Sequence, residues 1–152
     1  MTPQDLFRRV ATAEAVTWAL LLIGMFLKYV TETTELGVTV FGMAHGVVFL
    51  TYVLVTLVVG TDQGWTTGRI VRGLLASIPP FVTVPFDRAV ERTGGFGPWR
   101  LRPPGSPQAA RAPHERVVAT LLAHPGRGAA IGVVAVAVLT AVALAVGPPV
   151  GK

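Results

Sequence analysis

The sequence predicts an all-α fold, a polytopic integral membrane helical bundle of about four spanning helices, and three observations predict it. Of the 152 residues, 51% are hydrophobic and 14% charged, against roughly a quarter charged in an ordinary soluble domain. Apolar runs recur that approach or reach the about 20 residues a helix needs to cross the hydrocarbon core. The basic residues flank these runs. Lys28 and Lys152 are the only lysines among thirteen basic residues, which leaves eleven arginines. They lack the aromatic interleaving or motif of a nucleic-acid binder, so the +5 net charge points to membrane lipid and no nucleic acid is expected as a partner. The absence of cysteine removes disulfides, thiolate metal sites and cysteine nucleophiles together.

The first helix is expected over about Gln4–Tyr29, with Thr2 as its capping hydroxyl and Pro3 at the first helical position. Arg8 and Arg9 in its early turns can snorkel to headgroups, and Val10–Leu27 supplies the spanning length. A cleaved signal peptide is the rival reading. Glu14 interrupts the run, the run is too long, and no small-x-small site follows, so a retained helix is expected. A second helix is expected over Val38–Val59, antiparallel to the first because the loop at Thr31–Thr39 is short. It holds Gly42-Met43-Ala44-His45-Gly46, in which two glycines flank a histidine on nearly one face and let another helix approach. Trp65 beyond it reads as an interfacial anchor.

The third segment, Ile70–Phe86, is apolar but holds Arg72, Pro79, Pro80 and Pro85. Interior prolines remove backbone donors, so the helix is expected to kink at Pro79-Pro80 or unwind near Ser77–Phe81. Run antiparallel to the second helix, this segment places Arg72 at the depth of Glu14, and Ser77 with the freed carbonyls at the depth of His45. Two polar layers are therefore expected, Glu14 with Arg72 and His45 with Ser77. A direct Glu14–His45 bond is not expected, the two lying at different depths. Ionisable groups within a membrane are candidate functional positions, although either layer can also serve packing alone. Residues 93–127 read as an Arg/Gly/Pro-rich loop with a short amphipathic helix at about His114–Ala123. Residues 128–147 read as a fourth spanning helix, with Gly128 and Gly132 at small-residue spacing for helix packing in the same chain or between chains.

The Glu14-Ala15 and Thr17-Trp18 pattern, the run MFLKY at Met25–Tyr29, Gly42-x-x-His45-Gly46-x-x-Phe49-x-x-Tyr52, Trp65, and Pro80-Phe81-x-Thr83 with Asp87-Arg88 resemble domain of unknown function family 3817. The resemblance covers about residues 6–92, the three-helix membrane core of residues 1–92. It implies a small bacterial integral membrane protein, multi-pass in the cytoplasmic (inner) membrane, and places Glu14, Lys28, His45 and Tyr52 in the family's recurring pattern. It implies no activity. Phe26 stands where the pattern has proline, and Val82 where it has glycine.

Two topologies fit the charges. Four crossings put the arginine loop inside and the N terminus outside, and this is the expected arrangement. In the rival, the proline-broken segment enters and leaves on one side, which returns Arg8 and Arg9 to the inside. No phosphate loop, paired metal histidines or nucleophile elbow is present, so no enzyme, metal site or cofactor is expected. Two function classes remain: an accessory, assembly or homo-oligomeric subunit of a membrane complex, or a small transporter, proton-conducting or haem- or quinone-binding module using Glu14 and His45.

Overall fold

The computed structural model describes residues 1–102 and 110–146. Residues 103–109 of the expected loop, Gly147 at the end of the expected fourth span, and Lys152 lie outside them. The described residues form six helices: α1 Pro3–Tyr29, α2 Leu36–Asp62, α3 Thr67–Leu75, α4 Thr83–Arg92, α5 Pro113–Ala123 and α6 Pro125–Val146. Three of these, α1, α2 and α6, are long and apolar enough to cross a membrane.

α1 begins as its sequence predicts. Thr2 Oγ1 accepts from the Asp5 amide at 3.0 Å, and the Thr2 amide donates back to Asp5 Oδ2 at 3.1 Å, satisfying orphan donors at both ends of the box. α1 and α2 are antiparallel neighbours, each of 27 residues, or about 40 Å. They come into backbone contact at Gly24 and Gly37. A Cβ on Gly24 would stand 2.7 Å from the Gly37 carbonyl carbon and 2.9 Å from the Val38 nitrogen. Backbone meets backbone there, which only glycine permits.

The third segment is two short helices: the chain leaves helical conformation between Leu75 and Thr83, where a kink or unwinding is expected, and the expectation of one continuous crossing helix is corrected. α3 stops at Leu75 because Pro79 biases the preceding residue away from helical conformation and Pro79 and Pro80 offer no amide. Ser77 Oγ turns back to the Leu74 carbonyl at 2.6 Å, and Phe81 enters the left-handed region with φ 68°. α4 then starts at Thr83 with Pro85 in its first turn, where a missing N–H leaves no helical bond unmade. At 9 and 10 residues the two helices are about 14 and 15 Å long, too short to span.

α3 and α4 make a hairpin whose two ends meet. The Trp65 indole, just before α3, donates to the Gly95 carbonyl, just after α4, at 2.7 Å. Arg69 near the start of α3 reaches Thr93 at the end of α4. The turn lies well along α1, because Trp18 Nε1 donates to the Ser77 carbonyl at 3.4 Å, about 22 Å from the start of α1.

The apolar core gathers where the N-terminal part of α1 meets α2 and the hairpin. Phe7 is its centre, fully buried, with ring centroids of Tyr52, Trp65, Phe86 and Phe96 at 5.6, 5.5, 6.1 and 5.7 Å. Trp65 is thus a buried core residue and not a membrane anchor. Residues 93–102 are likewise no free linker. Phe96 joins the core, Trp99 Nε1 donates to the Met1 carbonyl at 3.0 Å, and Leu101 is buried.

α6 packs along α2 and against α5 and buries none of its residues. Gly128 sits against the Leu121 backbone at the elbow between α5 and α6, where a Cβ would collide. Gly42 meets only the Leu21 side chain at 3.7 Å, and a Cβ on Gly46 or Gly132 would meet nothing within 4 Å. Within the chain, close packing therefore falls to Gly24 and Gly37 and not to Gly42, Gly46 or Gly132.

Candidate functional site

Glu14, fully buried, is the centre of the polar site, and α4 rather than α3 supplies its partner. Helical spacing puts Ala11, Glu14 and Trp18 on the face of α1 that meets the hairpin. Thr83, at the first turn of α4, sets its hydroxyl 2.7 Å from Glu14 Oε2 and 3.1 Å from the Ala11 carbonyl oxygen. Glu14 Oε1 is buried without a hydrogen-bond partner among the described residues. The expected Glu14–Arg72 pair is not formed. Arg72 is exposed, and its Nε donates to the Gly68 carbonyl of its own helix at 3.2 Å. The hairpin places Arg72 on the opposite arm from the one that touches α1.

One turn beyond Thr83 lies Asp87, 3% exposed at its side chain's pairing with Arg8 of α1. Arg8 Nε donates to Asp87 Oδ2 at 2.9 Å, and Arg8 Nη2 reaches Glu91 Oε2 at 2.6 Å. Asp87 Oδ1, like Glu14 Oε1, is buried and unpartnered. A groove of about 260 Å³ runs beside this pair between α1 and α4, bordered by Arg8, Thr12, Asp87 and Arg88. Tyr52 of α2 is fully buried and donates its hydroxyl to the Gly73 carbonyl of α3 at 3.0 Å. That carbonyl belongs to the last turn of α3, where intrahelical partners run out.

His45 forms a second layer with α1 instead of with the proline-freed carbonyls. Its Nδ1 is 3.1 Å from Thr17 Oγ1, and Thr17 donates to the Glu14 carbonyl at 2.9 Å. One hydroxyl proton cannot serve both acceptors, so this pattern assigns the imidazole proton to Nδ1. Trp18 lies beside the ring at 4.6 Å between centroids. The expected His45–Ser77 contact is replaced by Trp18 standing between them: its ring packs on His45 and its indole N–H binds the Ser77 carbonyl. Lys28 takes no part in either layer. It pairs with Glu35 at 3.4 Å, at the end of the bundle where α1 meets α2.

A third polar junction, which sequence reasoning missed, ties the far end of α2 to α5. Asp62 is fully buried and accepts from the Leu101 amide at 2.9 Å and the Arg100 amide at 3.3 Å. Arg100 donates to the Asp62 and Thr61 carbonyls at 2.6 and 2.9 Å and to Glu115 Oε1 at 2.6 Å. Hydrogen bonding from Arg100, and then from the Arg111 and Ala112 amides, lowers the Glu115 carboxyl to about 2. Sequence alone holds no signal for Arg100. Thr83 and Asp87 did leave one, as members of the Pro80-Phe81-x-Thr83 and Asp87-Arg88 pattern and a polar pair at i, i+4 with only apolar residues between them. Among the described residues no cluster of three His, Cys, Asp or Glu side chains stands ready for a metal.

Comparison with known proteins places this arrangement. No solved structure matches the chain. A Streptomyces coelicolor protein named "Putative membrane protein SCO5905" is 49% identical over 89 residues, which is 58% of this chain and 10% of that protein. The chain thus spans about a tenth of that relative's length. The model of the family described as "Domain of unknown function (DUF3817)" matches residues 4–92. This stretch holds α1, α2 and the α3–α4 hairpin with both polar layers, and the chain belongs to that family.

Proposed function

We propose that this chain is a non-catalytic module of the bacterial cytoplasmic membrane, with three crossings and one re-entrant hairpin, that serves as an accessory or assembly subunit of a larger membrane complex. The observation behind this reading is how the polar residues are used. Tyr52 holds Gly73, Thr83 holds Ala11, Trp18 holds Ser77, and Arg8 holds Asp87 and Glu91. Each fastens the hairpin to the α1–α2 pair. Such bonds meet the demand that backbone inside a membrane be satisfied by protein. The coverage of the Streptomyces relative fits the same reading, since the matched residues recur there as a tenth of a much longer protein.

Topology follows from the hairpin. With α3 and α4 entering and leaving on one side, and α1, α2 and α6 as the crossings, all eleven arginines fall on the side of the α1 N terminus. Among the described residues only Lys28 remains for the other side. The positive-inside rule then puts the N terminus and the arginine loop in the cytoplasm. The chain has no cysteine, so single cysteines at Thr31, Thr66 and Thr93 give a clean test with a membrane-impermeant maleimide. Thr66→Cys and Thr93→Cys are expected to react from the cytoplasmic face and Thr31→Cys from the outer face. Opposite reactivity of positions 66 and 93 would restore four crossings.

The subunit role is tested by purifying the tagged protein from native membranes in gentle detergent and identifying what accompanies it by mass spectrometry. A stoichiometric membrane partner or a stable homo-oligomer is expected. A partner-free monomer with an absorbing cofactor in its visible spectrum would replace this reading with the redox alternative.

A further inference from the structure

We propose that Glu14 is a proton-binding site, occupied in the folded protein, in which the carboxylic acid donates to Thr83 and Thr83 donates to the Ala11 carbonyl. The inference goes beyond the subunit reading and rests only on the contact of α1 with α4.

Hydrogen-bond arithmetic leads to it. The Thr83 hydroxyl lies between two oxygens, Ala11 O at 3.1 Å and Glu14 Oε2 at 2.7 Å. It has one proton, and a backbone carbonyl can only accept. An ionised Glu14 could also only accept, which leaves one of the two contacts without a hydrogen. A protonated Glu14 supplies the missing one, and the chain Glu14 Oε2–H to Thr83 Oγ1–H to Ala11 O closes. The same relay occurs a turn away, from His45 Nδ1–H through Thr17 to the Glu14 carbonyl.

The surroundings supply no compensating charge. Among the described residues no lysine, arginine or histidine nitrogen lies within 4.0 Å of the Glu14 carboxylate. Beside the carboxyl stand Thr83 of α4 and the Trp18 indole of its own helix, with Tyr52 of α2 close by; the other titratable or charged groups on these elements include Asp87 on α4, His45 on α2 and Arg8 on α1. Arg8 is held by Asp87 and Glu91, Tyr52 is turned to Gly73, and His45 to Thr17. Arg72 of α3 points away. Oε1 is buried with no partner. An ionised carboxylate there would be a fully buried charge with one bare oxygen, whereas the acid leaves only a neutral acceptor unmet.

Proton occupancy has a mechanical consequence. Thr83 opens α4 directly after the hairpin turn, so the relay is a clasp between α1 and the returning arm. Ionisation of Glu14 removes its donor, and the clasp weakens as pH rises through the titration of this group.

The test is infrared spectroscopy of the full chain in nanodiscs of zwitterionic lipid at neutral pH, comparing wild type with E14Q, T83V and D87N. E14Q reproduces the acid's donor and acceptor, so its fold should persist. We expect a carbonyl stretch of one protonated carboxyl that E14Q removes, T83V shifts to higher frequency and D87N retains. Carboxylate bands lost in E14Q at neutral pH would overturn the proposal, as would loss of the acid band in D87N or on adding sodium, the last meaning that a monovalent cation occupies the site. For the clasp, Ser77→Cys labelling, normalised to the exposed Ile78→Cys, should rise with pH in the wild-type background and stay flat with E14Q. Equal pH dependence in both backgrounds would overturn the link to the hairpin.

Discussion

Replacing Gly24 by alanine puts the helix-packing account at risk most directly. The new Cβ would lie 2.7 Å from the Gly37 carbonyl carbon, 2.9 Å from its oxygen and 2.9 Å from the Val38 nitrogen. All three are backbone atoms, so no rotamer change makes room. Carbon atoms settle at about 3.5–4.0 Å, so α1 and α2 would have to part by roughly 1 Å at this crossing. Overpacking of this kind costs about 1–3 kcal/mol, a loss of about five- to more than a hundred-fold in the folded ratio. Inside lipid, close packing is a main source of helix association, and its loss is not made good by hydrophobic burial. Gly46→Ala is the control. It meets nothing within 4 Å and gains up to about 1 kcal/mol of helix propensity, so it should be neutral or stabilising. The assay is reversible unfolding of each variant in mixed micelles with increasing sodium dodecyl sulfate. Equal stability of G24A and G46A would refute the assignment of the crossing to Gly24 and Gly37.

Three further outcomes follow from the site. Tyr52→Phe removes the donor to the Gly73 carbonyl and should cost about 1–3 kcal/mol in the same unfolding assay, the cost of a buried acceptor left unmet; a change near zero would mean that this bond does not hold the hairpin. Arg8→Met strands the buried Asp87 and should destabilise by about 1.5–3 kcal/mol, with Asp87→Asn in the same chain recovering part of it. Absence of recovery would show that Arg8 acts through packing instead. Glu115, lowered to about 2 by Arg100 and two amides, should fasten α5 throughout the neutral range and release it only as pH falls toward that value. Amide shifts of Arg111 and Ala112 should follow this titration and lose it in E115Q; a midpoint in the ordinary glutamate range would refute the network.

Much of the fold was legible because it is local. Thr2 and Pro3 announced the start of α1, and the apolar runs gave α1, α2 and α6 to within a few residues at each end. Pro79 and Pro80 announced a break near Ser77–Phe81. What the prolines could not announce is the direction taken after it. A kinked crossing and a returning hairpin share the same local chemistry, and the choice shows only in contacts between distant positions, such as Trp65 with Gly95 and Arg8 with Asp87. That one choice rearranged the site. It moved Arg72 away from Glu14, brought Thr83 and Asp87 to α1, and set Trp18 between His45 and Ser77.

Local sequence was enough for the class of molecule, the positions of α1, α2 and α6, and Glu14 and His45 as buried polar positions, because length, hydropathy and capping act over one or two helical turns; the count of about four crossings exceeded the three helices long enough to span. The partners of these residues were settled by the folded arrangement alone. Gly42 and Gly46 had the spacing of a packing pair, yet Gly24 and Gly37, from two different helices, are the residues that touch. Periodicity marks which face of a helix is small or polar. Which face of another helix it meets, and at what depth, depends on how the turn between them closes, and that is a property of the folded chain.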